Sequence, residues 1–335
     1  MRNVLRANKY FLIILILEVF MPIPLSFIYK ILGITDIKLM LALNHFMLFI
    51  VPAIIYVLVT KCNVKETFRF KKLPIKDFFL VILLGIGCLF ITNFFGLISG
   101  FIFENNIGEF ITSINSSPYI ILLLLVAVMP SITEEITLRG VILSGYNEKS
   151  KFKAALVSGL FFGMFHLDFQ QFVYATVLGF ILAYTVRVTG SIFSSMIIHF
   201  IINGTSITLN KLMQVVSPAS LDSAADVSLK NLAINEKITL AIGGLFWLAI
   251  GILIAVFVLR KLQRLSDIRN GIVKEIVYDE DSVFTLRDEK VNIEDNRMLR
   301  KETSRERIID WPFVLSIVFY LIIMIVIPFI IRKIV

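Results

Sequence analysis

The sequence predicts an all-α fold, a polytopic transmembrane helix bundle of about eight or nine spans with a small charged cytoplasmic insertion. Three observations predict it. The 335 residues are 57% hydrophobic and only 17% charged, with a mean hydropathy of +0.86, which is more apolar than a soluble domain. Apolar runs long enough to cross a bilayer, roughly 20 residues each, recur along the chain. The net charge of +8 gathers in the connections between those runs. Such placement is a topology signal, so no nucleic-acid partner is expected.

The elements follow in order, with spans at about 10–31, 38–60, 78–102, 119–142, 153–168, 170–187, 191–210, 238–259 and 311–331. The opening MRNVLRANK is basic and no small-residue cleavage site follows it, so the first run reads as a span that stays. Cys62 lies in a basic connection and Cys88 in an apolar run, which suggests neither a disulfide nor a metal pair. Basic residues fall at the N-terminus (Arg2, Arg6, Lys9), in KCNVKETFRFKKLPIK and at Lys149, Lys151 and Lys153. These three segments share one side if the N-terminus is cytoplasmic. FENNIGEFITSINSSP carries Glu104 and Glu109 and no basic residue, which suits the other side. The stretch from Arg260 to Asp310 mixes both signs. Within it, IVKEIVYDEDSVFTLRDEKVNI alternates like short strands. The organisation expected is therefore N-terminal helices over 1–118, a core over 119–210, an outer loop and eighth span over 211–260, the charged insertion over 261–310 and a last helix over 311–335.

An ionisable residue inside a span is costly and marks a partner or a function. Glu18, His45, Glu134, Glu135, Arg139, His166, Arg187 and His199 fall in or at the ends of spans. Glu135 and Arg139 are spaced i,i+4 and share a face. Glu134 is turned about 100° away and has no basic residue at i+3 or i+4. It is left free for chemistry while its neighbour is paired. Pro130 should kink the helix or release a carbonyl. FFGMFH puts Phe162 and His166 on one face, and HFIIN does the same for His199 and Asn203. His45 reads as a packing residue and Glu18 as a buried, hydrogen-bonded carboxyl, with a channel residue as the alternative. At about 1.5 Å per residue, Glu134 and His199 lie about 10 Å inside the membrane edge and His166 about 20 Å.

A carboxylate base, imidazoles and an amide are what amide hydrolysis uses: the base takes a proton from water and N–H groups hold the oxyanion. EEITLR, FGMFH and HFIIN, in that order on hydrophobic segments from about 119 to 206, resemble the CAAX-protease and bacteriocin-processing (Abi) family of intramembrane endopeptidases, type II CAAX prenyl endopeptidase-like. The resemblance implies a catalytic Glu134 helped by His166, with His199 and Asn203 stabilising the oxyanion. It implies supporting roles for Glu135 and Arg139 and a wall at Phe162. Leu138 stands where the family often has an aromatic residue. No cofactor is expected; the alternative is zinc held by His166, His199 and Glu134, an intramembrane metalloprotease.

The substrate expected is a membrane peptide or membrane protein, cleaved in peptide maturation, self-immunity or signalling at the multi-pass cell membrane. Two other readings compete: a catalytically silent scaffold regulating a signalling partner such as a sensor kinase, and a transporter. The transporter predicts repeated broken helices, which the sequence lacks.

Overall fold

The computed structural model describes residues 3–106, 108, 111, 114–216, 229–272 and 306–334. Every regular element among them is helical. The strands expected in the charged insertion lie almost wholly outside the described residues.

The first apolar run is two helices, α1 (Asn3–Phe20) and α2 (Pro22–Ile31), bent by 47°. Pro22 and Pro24 have no N–H to continue the α1 ladder, so the break falls there. α3 (Ile37–Thr60) starts under the Asp36 carboxylate, which accepts from Lys38 N at 2.8 Å. A short α4 (Val64–Thr67) and α5 (Ile75–Gly100) follow. Next come α6 (Tyr119–Ile142), α7 (Lys151–Phe165), α8 (Phe169–Thr189), α9 (Phe193–Val216), α10 (Ile234–Arg269) and α11 (Trp311–Ile330).

Three of these helices carry a π turn two residues ahead of a proline. The turns are Phe46–Ile50 before Pro52, Leu123–Val128 before Pro130 and Ile322–Val326 before Pro328. A proline lacks its N–H and pushes its ring at the carbonyl four residues back; widening the turn absorbs both.

Among the described residues, six helices are long and apolar enough to cross a membrane: α3, α5, α6, α8, α10 and α11. The bent α1–α2 pair makes a seventh if it crosses as one broken span. The protein is therefore a multi-pass membrane protein, with fewer candidate spans than the eight or nine expected. Two elements account for the difference. α7 has 15 residues, about 22 Å, against a hydrocarbon core of about 30 Å. α9 is long enough, but its serines, threonines and asparagines dilute its hydropathy. α10 runs past the expected end of the eighth span, nine residues into the stretch read as insertion.

The interior forms around α5, α6, α8 and α9, with α7 and α8 as a close hairpin. Glycines set that approach. A Cβ on Gly159 would stand 2.7 Å from Phe180 N, and one on Gly179 would stand 2.8 Å from Phe162 Cβ. The hairpin reverses through Leu167, a non-glycine residue with φ of 46°, a strained conformation of the kind that gathers at functional sites.

The chain beyond the insertion is fastened to the start. The Glu306 carboxylate accepts from Asn3 N and Val4 N at 3.0 and 2.8 Å, the free donors of a helix N-terminus. Asn8 Nδ2 donates to Ile308 O and Asp310 Oδ1, and Tyr146 OH donates to Asn8 Oδ1. At the same end Arg269 grips the buried Asp77 carboxylate with two nitrogens, at 3.0 and 2.6 Å. α1, α10 and α11 thus brace the core at its basic end.

Candidate active site

The site is built on α6. Without an N–H, Pro130 leaves the carbonyl of Val126, four residues back, short of its α-helical donor. Asn203 on α9 donates Nδ2 to Val126 O at 3.0 Å. The proline thereby sets the register of α6 against α9 and commits one of the two Asn203 N–H groups.

One turn further, the two glutamates meet different surroundings. Glu135 is fully buried. Arg139 Nη1 donates to its Oε1 at 2.9 Å, and His199 Nδ1 lies 2.9 Å from the same oxygen. A carboxylate only accepts, so Nδ1 carries the imidazole proton and Nε2 carries the lone pair. Asn203 Nδ2 faces that lone pair at 3.3 Å. Carboxylate, imidazole and arginine therefore form one oriented chain, in which the acid fixes the ring and its tautomer.

Glu134 is not part of that chain. Its Oε2 is buried and has no hydrogen-bond partner among the described residues, and it lies 3.9 Å from His199 Nε2. The distance is too long for a direct hydrogen bond. Two acceptors held this close call for a donor between them, and a water molecule with its two O–H groups fits.

Arg139 holds the back of the site. Its Nη2 donates to Gly179 O at 3.2 Å, and its guanidinium sits 4.5 Å from the Phe162 ring centroid, a cation–π contact strengthened by burial. The Phe162 ring also lies edge-on to His199 at 5.6 Å and to His166 at 4.8 Å. It is the shared wall that its place in FFGMFH suggested.

His166 lies one turn beyond. Its Nδ1 bonds Phe162 O at 2.8 Å. Among the described residues no hydrogen bond or ion pair joins it to Glu134, so direct help to that carboxylate has no contact behind it here. The alternative zinc set fares similarly. No three His, Cys, Asp or Glu side chains among the described residues converge as metal ligands, so His166, His199 and Glu134 do not fit a zinc site as placed.

Several contributors escaped the sequence reading. Arg69 counted only as one of six basic residues in a loop. It is in fact buried, with Nη1 donating to Arg139 O at 2.8 Å and Nη2 reaching Asn147 Oδ1 at 2.5 Å. The last carbonyls of a helix lack partners within it, and Arg69 supplies donors to the end of α6. Burial, then the neighbouring Arg187, pushes its guanidinium down to about 10, so it stays charged at neutral pH. Arg187 donates to the carbonyls of Tyr146, Asn147 and Lys149 and secures the same turn.

Glu18 and His45 also differ from expectation. Among the described residues Glu18 makes no hydrogen bond, and it lies within electrostatic reach of Glu134. His45 reaches α6, with Nδ1 3.3 Å from Thr133 Oγ1. The sequence signal for both was their charge inside an apolar run; their target was not visible.

Together these features define a multi-pass membrane protein whose buried centre of carboxylate, imidazole and amide is suited to hydrolysis. Residues 116–205 match the family model of the Type II CAAX prenyl endopeptidase Rce1-like proteins. The match spans α6 through the site-bearing half of α9, so this core is similar to that family's. No curated protein and no solved structure matches the chain.

Proposed function

We propose that the protein is an intramembrane endopeptidase that hydrolyses a peptide bond in a membrane-associated peptide or protein, using a water molecule activated by Glu134. The observation that carries this reading is the unpartnered Glu134 Oε2, 3.9 Å from a His199 lone pair whose direction is set by Glu135 and Arg139. Once Asn203 Nδ2 has turned away from the His199 lone pair, water bound between these acceptors gives a proton to Glu134 as its oxygen attacks the scissile carbonyl carbon. The tetrahedral intermediate collapses, the C–N bond breaks, and the proton on Glu134 passes to the departing amine. In this scheme the second Asn203 N–H turns to the oxyanion, and Phe162 keeps the imidazole and guanidinium dry.

In this reading the basic end of the bundle faces the cytoplasm, as the positive-inside rule prefers.

The test uses purified protein and a panel of quenched apolar peptides, with and without a farnesylated cysteine. Wild type cleaves members of the panel, a chelator leaves the rate unchanged, and Glu134→Ala is inactive. Cleavage that survives Glu134→Ala ends the mechanism, and loss on chelation restores the metalloprotease alternative.

A further inference from the structure

The chain has three histidines, and the fold brings all of them to one centre. His45 and His166 each lie within electrostatic reach of His199, although His45 comes from α3, outside the matched segment. Its hydrogen bond has a definite direction. Thr133 Oγ1 donates its single proton to Met129 O at 2.9 Å. Toward His45 the hydroxyl can therefore only accept, so His45 Nδ1 carries the proton and Nε2 the lone pair. That Nε2 has no hydrogen-bond partner among the described residues. Immediately after His45 the helix opens into the π turn Phe46–Ile50, a device that recurs at functional sites.

Most acceptors at the centre are engaged, although Glu135 Oε2 is buried behind the Arg139 contact with no hydrogen-bond partner among the described residues. One Glu135 oxygen is held by Arg139 and His199, and the His199 lone pair faces Asn203. Glu134 is reserved for water on the peptidase reading, on which this inference rests. An extended peptide brings backbone N–H groups as well as a carbonyl, and an N–H left unpaired in a dry site is costly. Of the acceptors left over, Glu18 lies toward Glu134, while His45 is fixed to α6 next to it in sequence.

We propose that His45 is a substrate-binding residue whose Nε2 accepts a hydrogen bond from a backbone N–H of the peptide beside the scissile bond. It orients the peptide against Glu134 and transfers no proton.

The experiment takes a peptide that wild type cleaves and N-methylates its backbone one position at a time. At one position methylation lowers kcat/KM roughly tenfold, as expected for an unmade hydrogen bond in a desolvated site. His45→Phe, which keeps the ring volume and removes the acceptor, shows that same loss on the unmethylated peptide, carried mainly by KM. It loses nothing further on the methylated peptide. His45→Gln retains an acceptor and recovers part of the rate. Losses that multiply in His45→Phe, unchanged kinetics in that variant, or the same non-additive pattern in Glu18→Leu instead would overturn the assignment. If wild type cleaves no peptide at all, the peptidase reading itself has failed, a result distinct from any of these.

Discussion

The two walls of the site are built on opposite principles. On the α6–α9 side most buried polar groups are partnered. Glu135 is gripped by Arg139 and His199, Arg139 by Gly179 O and the Phe162 face, and Asn203 by Val126 O. On the α1–α3 side the polar groups stay unfinished. Glu18 has no hydrogen bond among the described residues and His45 uses one nitrogen. The helices there are loosely covered, with Phe27 and Leu58 more than three-fifths exposed. A preorganised side facing one whose polar groups await a partner is the division that the proposed hydrolysis needs. Fully satisfied buried networks rigidify, whereas incomplete ones await a partner.

Substitutions on the two sides should break differently. The largest effect is expected at Glu134, whose carboxylate, unlike that of Glu135, has no ion-pair partner within hydrogen-bond distance among the described residues. Glu134→Gln should lower kcat by roughly 10³-fold, in the range for loss of a general base, while thermal unfolding stays near wild type. A variant that instead unfolds would show that Glu134 belongs to the structural network.

Next is Arg139→Leu, which strands Glu135 as a buried charge and should cost about 3–5 kcal/mol of stability. Denaturation in mild detergent would measure it, and a loss below about 1 kcal/mol would mean the charges are better solvated than their burial implies. Gly163→Ala pushes a methyl into Phe172 O and Thr176 across the α7–α8 hairpin, an overpacking worth about 1–3 kcal/mol. Its activity should fall with stability, because Phe162 moves with the hairpin.

Arg69→Gln removes the donors at the end of α6 and should cost about 1–3 kcal/mol for a carbonyl left unpaired. Arg69→Lys should not restore it, since a point charge cannot span Arg139 O and Asn147 Oδ1 together. The smallest effect is expected at Phe257, 62% exposed on α10, where Phe257→Ala should stay within about 0.5 kcal/mol of wild type.

Much of the rigid wall was legible in the chain because its logic is local. The Glu135–Arg139 pair follows from i,i+4 spacing on one helix. The freedom of Glu134 follows from the absence of a basic residue one turn on. The edge-on contact of Phe162 with His166 follows from the same spacing rule. The released carbonyl at Val126 was implied by Pro130, although its partner was not. The span count was less legible, because α7 has only 15 residues and α9 is diluted by polar residues, so neither reaches the length and hydropathy of the other spans.

Sequence by itself determined what depends on neighbours a few residues apart. It settled a helical membrane class, where apolar runs leave a backbone no other way to satisfy its hydrogen bonds. It also showed which glutamate is paired and where prolines interrupt a helix. Tertiary structure alone decided what depends on helices meeting. It turned a loop arginine into the clamp on Arg139, turned His199 toward Glu135, set His166 behind Phe162 and brought Glu18 and His45 to the same centre. The physical reason is range. Helical periodicity correlates residues over a turn or two, whereas a buried polar group takes whichever partner the packing of distant helices delivers.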